Sequence, residues 1–260
     1  MIRALRTAAT GMEAMQKRID VTAHNIANVN TTGYRRQRAE FQDLLYETER
    51  MPGATTSDGT TLPTGIQVGE GVRLVSTTME LRQGTLQQTG NPLDIAIEGR
   101  GFLQVVQPNG ELAYTRAGNL KVDAEGRLVT VDGFLVEPAV TIPTDATSVT
   151  ISPDGVISVT TPGQTNAQEV GRIELAGFPN PAGMQAIGRS LYLPTAASGE
   201  PVVAQPGTEG LGTIAQGFLE GSNVQVVTEM IDLIASQRAY EVNQRVIQAA
   251  DEMLQRTTQR

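Results

Sequence analysis

The chain has 260 residues and a net charge of −8, enough length for one large domain or two smaller ones. Its acidity argues against nucleic acid as the main partner, because phosphate contacts need clustered cations. Zero Cys excludes disulfides, thiolate metal sites and a Cys nucleophile, while 27 Gly and 13 Pro require many turns and connectors.

From Met1 to about Asn28 the sequence predicts one long helix. Ile2, Leu5, Ala8, Met12, Met15, Ile19, Thr22 and Ile26 recur at gaps of three and four and form one mostly apolar stripe. Gly11 weakens that helix by about 1 kcal/mol relative to Ala, which a partner helix must offset. Arg3 and Arg6 imitate a signal-peptide n-region, but Glu13, Lys17 and Arg18 interrupt any apolar h-region. The expectation is therefore export, if any, without a cleaved signal peptide. No apolar run approaches the roughly 18 residues of a membrane span.

The run Asn28-Val29-Asn30-Thr31-Thr32-Gly33 ends the helix, since Asn, Thr and Gly favour turns and left-handed backbone. Arg35, Arg36 and Arg38 follow and read as a solvated or inter-subunit charge patch rather than a phosphate site. Phe41, Leu44 and Leu45 read as a short apolar anchor. Met51 to Gly65 is polar and turn-rich, with Ser57-Asp58-Gly59 at its middle: a loop or extended hairpin longer than compact domains usually carry.

Strands are predicted at Ile66–Val68, Val72–Val75 and Met79–Leu81. Between Leu93 and Leu211 the pattern is strand and turn throughout, with hairpin signals at Asn109-Gly110, Glu125-Gly126, Asp132-Gly133 and Asp154-Gly155. Gly69-Glu70-Gly71 and Gly99-Arg100-Gly101 lack the third glycine of a dinucleotide fingerprint and read as turns. A last strand, Thr213 to Leu219, leads into Asn223–Gln259, a helix of roughly 55 Å at about 1.5 Å per residue, capped by Ser222-Asn223. Its apolar residues make two rows. Ile231, Ala235, Ala239, Val242, Val246, Ala249 and Met253 form the first, whose gaps alternate four and three from Ala235 onward, as in a coiled-coil seam, and one partner helix would need only this row. Val226, Leu233, Tyr240, Ile247 and Leu254 form the second, every seven residues. Two rows imply cover from the chain itself and from something else.

The fold class expected is α+β: long N- and C-terminal helices paired as a coiled coil, with an intervening mainly antiparallel β region. Residues 1–33 and 222–260 would form a discontinuous helical core domain. Residues 34–92 and 205–221, including an insertion at 46–65, would connect it to an outer β domain at 93–204. No catalytic constellation is apparent. His24 is the only histidine and reads as a satisfied polar position, no Gly-x-Ser-x-Gly elbow exists, and Asp123 with Glu125 flanks a hairpin turn. No enzyme activity, cofactor or metal is expected.

Thr22-Ala23-His24-Asn25-Ile26-Ala27-Asn28-Val29-Asn30-Thr31-Thr32-Gly33-Tyr34 closely resembles the signature A-N-N-I-A-N-x-N-T-x-G-[FY] of bacterial flagellar rod and hook proteins. His24 departs from it, where Asn is commoner. Val226–Ile231, Ser236-Gln237-Arg238-Ala239-Tyr240-Glu241 and Asp251-Glu252-Met253-Leu254 resemble the family's C-terminal motifs. Gly99–Leu103 and Tyr114–Gly118 are similar to its β domain, and Tyr46–Gly65 to the insertion of its distal-rod branch.

The resemblance implies a structural subunit that self-assembles into a tubular helical drive shaft carrying torque across the periplasm to the hook. The implied partners are further copies of the chain in a helical filament, proximal rod proteins, hook protein, P and L ring proteins and the flagellar export apparatus. Candidate assembly residues are Leu5, Met12, Ile19 and Ile26 on the first helix, Asn25, Asn28, Asn30 and Gly33 in the signature, and Leu233, Ala239, Tyr240, Val242, Val246, Ile247, Met253 and Leu254 on the last. The rival readings are a proximal-rod or hook-junction homologue, a peptidoglycan-acting enzyme and a bundle-forming adhesin.

Overall fold

A computed structural model describes residues 2–53, 63–162 and 167–258. The architecture is α+β: an N-terminal helix, a mainly antiparallel β region and a C-terminal helix. Helix α1 spans Ile2–Ala27 and helix α2 spans Val226–Thr258. The chain divides into two units, one built from 1–27, 37–78 and 225–260, the other from 28–36 and 79–224.

In the first unit α1 and α2 lie against each other and run antiparallel, and the strand Gln37–Asp43 packs on α1 and pairs with Val72–Met79. Strands Tyr46–Arg50 and Ile66–Gly69 pair antiparallel as the arms of an extended hairpin, with Tyr46 opposite Gly69. The Ser57-Asp58-Gly59 turn and the rest of 54–62, the centre of the predicted insertion, lie outside the described residues. Arg3 reaches Glu47 at 2.9 Å and Glu49 at 2.7 Å, and Arg6 reaches Glu70, so the hairpin is tied to α1 by charge. Each of these pairs is solvent-facing, so water and salt screen it and it adds little to stability. Leu45 is not the expected anchor: it is 84% exposed, at the junction between two strands.

The second unit centres on a nine-stranded antiparallel sheet. Its middle strand, Phe102–Val106, pairs with Leu112–Thr115 on one edge and shares the other between Leu135–Glu137 and Leu175–Gly177. Both faces of that strand are covered, so its first four residues are buried in succession, Gln104 among them, rather than alternately. In the three-stranded sheet, by contrast, Val156–Thr160 alternates, with Ile157 and Val159 inward. Leu103, Val105, Val136, Ile157, Ile173 and Leu175 meet in one core. Phe102, Tyr114 and Tyr192 form a second, against Phe178, with edge-to-face ring contacts.

Four hairpins share one turn geometry. In each, the first residue's N–H donates to the carbonyl four positions on, and a glycine at the fourth position donates back to the first carbonyl: Gln107–Glu111, Asp123–Arg127, Thr130–Phe134 and Ser152–Val156. These are the glycines of the predicted turn dipeptides, at φ between 81° and 84°. Two predicted elements differ. Met79–Leu81 is no separate strand, and the last strand splits at Gly217 into Thr213–Gln216 and Phe218–Glu220, whose partners are different strands.

Candidate assembly interface

On α2 the inward row is Glu229, Leu233, Ser236, Tyr240, Asn243, Ile247, Ala250 and Leu254, at strictly alternating gaps of four and three. It contains four of the five residues of the predicted second row, interleaved with small and polar ones. Arg18 pairs with Asp232 at 3.0 Å, and Asn243 lies against Gly11, where an added Cβ would sit 3.0 Å from its amide nitrogen. Gly11 thus offsets its helical cost by admitting a polar neighbour at close range. Of the predicted α1 stripe, Ala8 and Thr22 are buried, and Leu5, Met12, Met15, Ile19 and Ile26 are half-buried.

The α2 row expected as the coiled-coil seam is instead the one that α1 does not cover. Val242 is 57% exposed, and Ile231, Ala235, Val246, Ala249 and Met253 are exposed with it; only Ala239 lies half-buried towards the inner row. Val227, Met230 and Ile234 extend this apolar face towards the start of the helix. A continuous exposed apolar band of this length marks an interaction surface.

Asn25 sits at the end of α1, and both it and Glu229 are 1% exposed. Its amide bonds the Gln37 backbone in both senses, accepting from N–H at 2.9 Å and donating to the carbonyl at 2.8 Å, and also donates to Glu229 at 3.1 Å. One signature residue therefore fixes the end of α1, the strand that follows and the start of α2. Asn28 is half-buried and accepts from the Thr31 N–H, while Asn30 is exposed. His24 is exposed on the helix.

In the second unit, Gly33 adopts φ 68° beneath the Arg116–Ala117 backbone, donating its N–H to the Glu220 carbonyl. A Cβ there would lie 2.7 Å from both Arg116 C and Ala117 N. Gly33→Ala combines a left-handed backbone penalty with a backbone clash and is expected to cost about 2–4 kcal/mol in urea unfolding. Gly110→Ala, also at positive φ but with open space around it, is expected to cost only about 1 kcal/mol.

The Arg trio is not a solvated patch. Arg35 is buried and donates to Glu220 Oε1 at 2.7 Å; Arg36 pairs with Glu80, and only Arg38, with Glu40, is surface-exposed. Glu220 Oε2 accepts from Arg116 at 2.8 Å, and Oε1 also takes the Gly84 N–H. Arg116 donates further to the carbonyls of Ile97, Gly99 and Gly101. Burial lowers the Arg116 pKa, and Glu220 opposes that shift. Asn223 does not cap α2; it accepts from Arg36 N–H and donates to the carbonyls of Glu80 and Arg82, so the helix begins three residues later. Asp123 likewise belongs to its turn, accepting from the Glu125 and Arg127 N–H groups and pairing with the Arg127 guanidinium.

Sequence reasoning missed Arg35, Arg116, Glu220, Glu229 and Asn243. Glu220, a lone acid ending the strand Phe218–Glu220, carried a usable signal: such a charge is stable only beside a buried cation. Among the described residues, no cluster of three or more His, Asp or Glu is placed to hold a metal ion, and no helix is long and apolar enough to cross a membrane.

Three family models match. Residues 5–35 match the flagella basal body rod protein model, residues 96–159 the flagellar hook protein FlgE/F/G D1 domain, and residues 215–260 the flagellar basal body rod FlgEFG protein C-terminal model. The chain is 51% identical to the flagellar basal-body rod protein FlgG of Caulobacter vibrioides over 99% of both chains. It is 38% identical to that of Bacillus subtilis, over 98% of this chain and 97% of the relative. To the flagellar basal-body rod protein FlgF of Caulobacter vibrioides it is 36% identical, over 93% of this chain and 90% of the relative.

Proposed function

We infer, from the premise that this chain belongs to the family of flagellar basal-body rod proteins, how its two helix faces build a rod. It is a structural subunit of the flagellar rod and assembles with other basal-body components. The inner faces of α1 and α2 pair as a coiled coil within one subunit, through a seam of small, polar and apolar residues. The outer α2 row, Val242 with Ile231, Val246 and Met253, meets helices of neighbouring subunits. A face on one subunit that meets a different face on the next generates an open helical filament rather than a closed ring. The carrying observation is that this outer row is apolar along most of α2 and is not covered by α1.

The rod is the distal one, a tubular shaft in the periplasm that is joined to proximal rod proteins and hook protein, surrounded by the P and L rings, and supplied by the flagellar export apparatus. Greater identity to FlgG than to FlgF of the same organism favours this position over another rod homologue. Leu5, Met12, Ile19, Ile26, Leu233, Tyr240, Ile247 and Leu254 hold the subunit's own helix pair, while Asn25, Asn28, Asn30 and Gly33 set the turn that leaves it.

Electron microscopy of the purified, concentrated chain tests the reading: tubular helical polymers are expected, and a chain that stays monomeric under every assembly condition overturns it. The 46–65 hairpin, tied by charge to α1, is proposed as a wedge that limits bending between subunits. Deleting 47–63 is expected to leave export intact and give polymers of visibly greater curvature. Straight polymers of unchanged stiffness would remove the wedge from the proposal.

A further inference from the structure

The second unit contains a groove of about 670 Å³. Its walls include Leu81, Phe102, Phe178 and Val202, and Arg35, Arg100 and Arg116 line it with one acid, Glu209. Two of those guanidiniums are buried and share, among the described residues, a single carboxylate, Glu220, so the cluster of three carries one surplus positive charge. Arg35 Nη1 is buried and makes no hydrogen bond among the described residues, and the Arg35 side chain as a whole is 2% exposed. A buried surplus cation with an unused donor, beside an apolar groove, is suited to an incoming carboxylate carried by an apolar segment.

We propose that this groove receives the Val131-Asp132 hairpin tip of a second copy of the chain. The assignment rests on the self-assembly reading above and adds a specific contact to it. Val131 is 61% exposed, the most of any large apolar side chain in the second unit, and stands on the turn between Leu128–Val129 and Leu135–Glu137. Asp132 beside it is exposed and forms no ion pair among the described residues. The tip thus presents an apolar side chain and a carboxylate together, matching the groove's walls and its surplus charge. Knob and groove are different patches of one chain, as an open helical assembly requires.

The chain has no cysteine, so single thiols report this contact cleanly. Full-length Val131→Cys and Val202→Cys chains, tagged differently and co-assembled into rods, are treated with a short thiol cross-linker. The expected product is a dimer containing one of each tag, formed in the mixture and absent from rods of either variant alone. Parent rods that form normally, with mixed rods giving no such dimer, overturn the contact while leaving self-assembly intact. Cross-linking of Val202→Cys to a different protein alone also overturns it. Absence of polymer from the parent chain instead removes the self-assembly reading itself. Charge exchange is independent of the thiols: Asp132→Lys is expected to raise the critical assembly concentration at least tenfold, and adding Arg100→Glu to restore most of it. No change with Asp132→Lys counts against the tip.

Discussion

Val242→Asp is expected to abolish polymerisation while leaving the subunit folded. In the single chain Val242 faces outward at 57% exposure, so the new carboxylate meets water there and costs the helix little. In the assembled rod the same position is proposed to lie against a neighbouring helix, where an unpaired carboxylate costs several kcal/mol. A penalty of about 3 kcal/mol per subunit raises the critical concentration by roughly a hundredfold, and it recurs at every subunit added. The variant should therefore remain soluble with unchanged circular dichroism, yet form no filaments and support no motility. Glu241→Gln, exposed on the same helix, serves as the mild control. Ile247→Asp tests the opposite face: it strikes the row against α1 and is expected to loosen the helix pair within one chain. Assembly of Val242→Asp at the parental concentration would show that the outer row is not the subunit contact.

The two α2 rows show what was legible in advance. Periodicity alone revealed both, because a helix repeats its faces in the sequence. It marked the first row as the coiled-coil seam by its alternating gaps, whereas α1 takes the second, four of whose large apolar residues are interleaved with Glu229, Ser236, Asn243 and Ala250, which fit and hydrogen-bond there but leave no apolar pattern. The hairpins were legible because Gly at positive φ follows Asn, Glu or Asp in every one. Of the Arg35–Glu220–Arg116 cluster, only Glu220 left a trace, as a lone acid ending its strand; the arginines left none. The cluster's members stand far apart in the chain, and an arginine in a run of arginines carries no mark of burial. Only the folded sheet brings Glu220 beneath both guanidiniums.

That cluster makes the second large effect. Glu220 is fully buried and is the only carboxylate that pairs with either guanidinium among the described residues. Glu220→Ala leaves two buried cations facing each other and strips the Gly84 N–H of its acceptor. Removing one member of a buried ionic group costs about 3–5 kcal/mol, a large share of the 5–15 kcal/mol that typically holds a domain folded. The urea midpoint of the second unit is expected to fall accordingly, with no change at the exposed Glu209→Gln control. The three positions are not equivalent. Arg116→Met also costs several kcal/mol, because it takes the Arg116 donor from the carbonyls of Gly99 and Gly101 and from Glu220 Oε2, while Ile97 keeps Gln83 and Glu220 Oε1 keeps Arg35 and Gly84. Arg35→Met is expected to cost least, since it leaves Glu220 and Arg116 as a neutral pair, gives up one bond to a carboxylate oxygen that keeps the Gly84 N–H, and removes an Nη1 with no partner among the described residues. If Arg35→Met destabilises as much as Glu220→Ala, then the surplus charge is not what sets this cluster's energetics, and the case for an incoming carboxylate weakens with it.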